Sequence, residues 1–162
     1  MGEIVSNLHG IDVTEQDLSV PDWGTYIREQ TRTCVRRQKS SVVPDAVIEE
    51  IPDFLAQYVE TRSSTSLLHT EFTYECWFVR EVDGNSDVCG LLDFGDAMVG
   101  DPEADFFLSS DPEMLRIFWQ AGGYPCDDPD FRYRYLAYFL LHRYATLEWM
   151  LKRHPARDFR SL

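Results

Sequence analysis

The sequence predicts a mostly helical α+β domain with one small β-hairpin. Three observations carry this. Segments with apolar residues at helical spacing, opened by Pro-Asp or Asp-Pro pairs, recur from end to end. The short runs Trp77–Val82 and Val88–Leu92 flank Asp83-Gly84-Asn85-Ser86-Asp87, which reads as a hairpin around a Gly-containing loop. A chain of 162 residues, 44% hydrophobic and 14% aromatic, suits a single domain with a buried core, taken as residues 1–162.

Taken in order, Ile4, Val5 and Leu8 share a helical face, and Gly10 ends that helix near His9. Asp22 is the candidate N-cap of a stronger helix. Its apolar face is Trp23, Tyr26, Ile27, Cys34 and Val35, and Arg28, Arg32, Arg36 and Arg37 form a solvated stripe opposite. Pro44-Asp45 opens the next helix, with Val47, Ile48, Ile51, Leu55 and Val59 periodic. Pro52 lies inside it and should kink or split it. After the hairpin, Pro102 stands at a first helical turn with early acids beside it. A helix from Asp111-Pro112 ends at Gly122-Gly123. A last helix runs from Asp128-Pro129 to about Arg153, apolar almost all round over Tyr135 to Leu141 and therefore buried.

Net charge is −13, which repels phosphate backbones, excludes nucleic acid as a partner and suits cationic small molecules. No apolar run approaches the ~18 residues of a membrane span. The N-terminus lacks the basic and apolar regions of a signal peptide, so a cytoplasmic protein is expected, without a membrane partner. Cys34, Cys76, Cys89 and Cys126 show no paired spacing for zinc and read as reduced, mostly buried thiols.

Chemistry concentrates between Leu67 and Phe107. His69-Thr70-Glu71 places a carboxylate where it can take a proton from a substrate hydroxyl; an ordinary loop carboxylate beside a buried His69 is the other reading. Asp93-Phe94-Gly95-Asp96 leaves an apolar strand and presents an oxygen ligand for Mg²⁺, or is a plain turn. In Gly100-Asp101-Pro102-Glu103-Ala104-Asp105, Asp105 falls among apolar residues. It is expected to be buried and bonded to backbone N–H groups of a neighbouring loop.

The order of these motifs resembles the aminoglycoside phosphotransferase family, small-molecule kinases of the protein-kinase-like fold. About 40 residues carry the likeness well, and Gly-Asp-Pro-x-x-Asp after Leu-Asp-Phe-Gly is its most specific part. The resemblance implies the C-terminal lobe of that fold, with the hairpin at the catalytic and metal loops. It places Glu71 where the family has its catalytic-base Asp, and Cys76 where it has an Mg²⁺-binding Asn. Asp93 matches the second metal ligand and Asp105 the aspartate that braces the catalytic loop, with His69 in support. Two positions depart from the family. Glu for Asp moves the charge outward, where productive geometry tolerates about 0.5 Å. Cys for Asn offers sulfur to an ion that wants oxygen.

The family's N-terminal lobe supplies a Gly-rich loop and a phosphate-holding lysine. Gly2, Gly10 and Gly24 are isolated here, and Lys39 and Lys152 are misplaced for that role. The expectation is a chain that begins inside the C-terminal lobe, with no nucleotide-binding residues of its own. The implied function is ATP- and Mg²⁺-dependent phosphoryl transfer to a small-molecule hydroxyl, impaired or needing a second chain for the missing lobe. Exposed apolar surface, and hence a homo-oligomer or a partner chain, follows from the same expectation. Two alternatives stand beside it: a non-catalytic binding module of the same fold, and an unrelated helical interaction protein.

Overall fold

The structure is a computed structural model and describes residues 2–13, 22–59, 66–106, 120–121 and 128–153. Its contacts gather into two compact units, Met1–Val20 with Ser64–Cys126 and Pro21–Ser63 with Asp127–Leu162.

In the first unit, helix α1 (Gly2–His9) buries Val5, Leu8 and His9 on one face and packs against β1. It ends where Gly10 was expected to end it, with the Gly10 N–H donating to the Ser6 carbonyl at 3.0 Å. Strand β1 (Ser66–Leu68) pairs antiparallel with β4 (Met98–Gly100), Leu68 opposite Met98. This short ladder was not separable in the sequence, because three-residue strands show no period.

The hairpin is β2 (Trp77–Val82) and β3 (Asn85–Leu91). Its connection is tighter than the expected five-residue loop. Asp83 and Gly84 take φ of +51° and +77°, the left-handed pair of a two-residue turn, so residues 85–87 join the ladder. Phe78 faces Gly90 and Val79 faces Val88, which leaves Cys89 as an extra residue in a bulge.

The expected helix at Pro102 is a short 3-10 turn, Pro102–Phe106. Asp101 builds it: its Oδ1 accepts from the Glu103 N–H at 3.0 Å, and its carbonyl accepts from Ala104 at 3.0 Å. Of the helix expected from Asp111, only residues 120–121 are described, and they are helical.

In the second unit, α2 (Trp23–Gln38) is capped as expected, the Asp22 carboxylate accepting from the Thr25 N–H at 2.7 Å. Hydrogen bonds from the Thr25 side chain and backbone hold the Asp22 carboxyl below its usual range. Arg28, Arg32 and Arg36 are exposed. Arg37 leaves the stripe, turning inward to Thr33 and donating to the Leu141 carbonyl at 2.7 Å. Helix α3 (Asp45–Tyr58) buries Ile48, Ile51 and Leu55 and passes through Pro52 without splitting. Pro52 is on the exposed face, where its missing N–H is tolerable.

The long last helix is in fact two, α4 (Phe131–Leu141) and α5 (Leu147–Arg153). The break has no Gly or Pro to announce it. Gln38 explains it. Its Nε2 donates to the carbonyls of Leu140 (3.2 Å) and Ala145 (3.0 Å), and its Oε1 accepts from the Leu147 N–H at 2.8 Å. One buried amide therefore caps the end of α4 and the start of α5, satisfying groups that a helix terminus otherwise leaves unpaired. Cys34 adds an Sγ–H bond to the Leu140 carbonyl at 3.2 Å. Cys34 and Cys76 are buried free thiols, Cys89 is exposed, and Cys126 lies outside the described residues.

Candidate functional site

The site is built on Asp105, a carboxylate 2% exposed. Its Oδ1 accepts from the Thr70 N–H at 2.6 Å, and its Oδ2 accepts from the His69 N–H at 3.0 Å. It is thus buried and tied to backbone N–H groups of the acidic loop, as its apolar neighbours required. His9 Nε2 also lies 2.8 Å from Oδ2.

The bracket holds an unusual backbone. Thr70 has φ +70°, a conformation costly for a β-branched residue and maintained only where surroundings fix it. The Thr70 hydroxyl donates to the Asp96 carbonyl at 3.0 Å, joining the Glu71 loop to the Asp93–Asp96 loop.

His69 is fully buried. Its Nδ1 accepts from the Glu71 N–H at 3.3 Å, so Nε2 carries the hydrogen and donates to the Leu92 carbonyl at 2.6 Å. Phe72 stacks on the imidazole at 4.7 Å and Phe94 meets it edge-on at 4.8 Å. With both nitrogens engaged, His69 is a structural part of the loop and not a base for substrate.

Glu71 is half-buried. Its carbonyl accepts from the Thr73 N–H at 2.7 Å and from Cys76 Sγ at 3.3 Å. Cys76 is buried, with Thr73 Oγ1 3.4 Å from its sulfur. The Cys76 carbonyl accepts from the Leu92 N–H at 2.8 Å, continuing the hairpin ladder. Leu92 therefore bonds the acidic loop through both its N–H and its carbonyl.

Asp93 follows immediately. It is exposed and has φ +66°, which turns the chain sharply as it leaves β3. An aspartate adopts that conformation more readily than most residues. Among the described residues no group of three or more His, Cys, Asp or Glu could hold a metal ion.

The structure thus ties Glu71, Cys76, His69 and Asp105 into one hydrogen-bonded framework, and Asp93 is next in the chain to Leu92, which bonds that framework. Two members were not found in the sequence. His9 sits 96 residues from its partner, and its only local signal is a polar residue on the buried face of α1. Thr70 carries none, because its φ is imposed by Asp105.

Among curated proteins no match to the sequence is found. The model of the phosphotransferase enzyme family (APH) matches residues 1–149, nearly the whole chain. The chain belongs to the phosphotransferase enzyme family.

Proposed function

We propose that the chain is a small-molecule kinase of the aminoglycoside phosphotransferase kind, built on the C-terminal lobe of the protein-kinase-like fold. It would transfer the γ-phosphoryl of ATP to a hydroxyl of a small cationic substrate. One observation carries this reading: the Glu71 loop and the Asp93 loop are cross-linked through His69 to Leu92 and through Thr70 to Asp96. Such cross-links hold two carboxylates on a rigid frame, as positioning chemistry requires.

In this reading Glu71 accepts the proton of the acceptor hydroxyl while its oxygen bonds to the γ-phosphorus and the bond to ADP breaks. Members of this family generally use ATP with Mg²⁺. Asp93 fits that ion as an exposed oxygen ligand, since Mg²⁺ is commonly held by one or two carboxylates and substrate phosphates. Bound there, the ion would offset phosphate charge. Cys76 does not fit: it is a thiol, turned inward onto the Glu71 carbonyl.

The inward Cys76 favours a second reading, a non-catalytic binding module of the same fold. The first reading, for its part, is of an impaired enzyme or one completed by a second chain. Phe78 and Val79 on β2, with Leu92 and Phe94 after β3, are 55%, 53%, 48% and 43% exposed. Exposed apolar side chains of that kind support a partner chain or a second copy.

The test is transfer of labelled phosphate from ATP to a panel of aminoglycosides and nucleoside antibiotics, with Glu71→Ala and Asp93→Ala as controls. Transfer lost in both variants is expected. Transfer that survives both sinks the kinase reading. No transfer, with no Asp93-dependent binding of ATP and Mg²⁺ by calorimetry, leaves the binding module.

A further inference from the structure

We propose that His9, on the last turn of α1, is a positioning residue for the loop that carries Glu71. Its side chain is 3% exposed, that of Asp105 is fully buried, and Nε2 lies 2.8 Å from Asp105 Oδ2. The edge of the Phe106 ring meets the imidazole at 6.0 Å between centroids and fixes its plane. Three donors therefore converge on the Asp105 carboxylate: the His9 ring, the His69 N–H and the Thr70 N–H.

The geometry divides the work. The two backbone bonds clamp Asp105 to the loop, and His9 clamps Asp105 to α1. Without the His9 bond, Oδ2 keeps the His69 N–H, but nothing on α1 resists rotation of the carboxylate. Thr70 at φ +70° is the point that gives way, because its backbone regains a preferred conformation once Oδ1 moves. Glu71 is the next residue, so a change at Thr70 redirects it. A helix at the start of the chain thereby sets the direction of a carboxylate some sixty positions later. Only the catalytic consequence rests on the kinase reading of Glu71; the positioning does not.

Amide hydrogen exchange on the ligand-free chain tests this with three variants. His9→Leu removes the donor. His9→Asn places its amide near the Nδ1 position, too short to reach. His9→Gln places a donor near the Nε2 position. In His9→Leu and His9→Asn, the His69 and Thr70 amides should exchange about tenfold faster or more, with the β2–β3 hairpin amides unchanged. His9→Gln should restore protection. Equal loop protection in all three overturns the proposal. So does a loss shared equally by loop and hairpin, or unfolding of both the Leu and Asn variants, since either makes His9 a general scaffold residue. Exchange needs no turnover, so a failure to transfer phosphate would sink the kinase reading and leave this result standing.

Discussion

The His69 Nε2 and the Leu92 carbonyl oxygen are 2.6 Å apart, which fastens the acidic loop to the end of strand β3. His69→Ala removes this bond and empties the space between Phe72 and Phe94. The expected loss of stability is on the order of 3 kcal/mol. Urea unfolding measures it, and a loss under about 1 kcal/mol would contradict a structural role.

Asp105→Asn tests the bracket itself. An amide keeps one acceptor oxygen and presents N–H groups where the second oxygen accepted from His69 and His9 or from Thr70. One buried donor is left facing another. A loss of about 2–4 kcal/mol is expected, read as a lower denaturant midpoint at unchanged slope.

Asp93 separates ligand chemistry from fold. Asn tolerates φ +66° and the residue is exposed, so Asp93→Asn should change stability by less than about 0.5 kcal/mol. Asp93→Val, β-branched, should cost about 1–2 kcal/mol at the same site. If the kinase reading holds, the Asn variant binds ATP with Mg²⁺ about tenfold more weakly or worse by calorimetry. Unchanged binding would remove Asp93 from the metal role.

Cys34 predicts a pH dependence. Burial pushes its thiol up from 9.0 to about 11, with Arg37 opposing. The folded state therefore favours the protonated thiol. Its contribution to stability is full below pH 9 and is lost as pH rises from there towards about 11, because the unfolded chain ionises first. At about 1.4 kcal/mol per unit, the loss is on the order of 2–3 kcal/mol. Comparison with Cys34→Ala isolates it: the stability difference between the two chains should shrink over that interval. A thiol reagent at pH 8 should label Cys89 before Cys34, which it should reach only on unfolding.

Local signals in the sequence were read correctly where the residues themselves set the structure. Asp22 caps α2 through its own side chain, Gly10 stops α1, and Asp105 is buried because Ala104 and Phe106 flank it. The misses share a different cause. The Asp83-Gly84 turn was drawn too wide, because Asn85 to Asp87 look like loop residues until a left-handed pair brings them into register. Arg37 left its stripe for carbonyls at the end of α4, and His9, given no role by the sequence, bonds Asp105. In each of these two, a polar side chain found a distant backbone or carboxylate partner that periodicity does not encode.

The corner between α4 and α5 has a consequence for the order of folding. Between residues 142 and 146 there is no Gly or Pro, and the one local helix signal is Thr146, whose Oγ1 accepts from the Trp149 N–H at 3.1 Å, so a peptide of residues 128–153 in isolation should hold the corner only weakly. The bend is fixed when α2 delivers Gln38, across a separation of 102 to 109 residues. Contacts that distant form late and slow the search for the native state. Gln38→Leu should therefore slow acquisition of the native α4–α5 geometry, while α2, whose cap is local, still forms early.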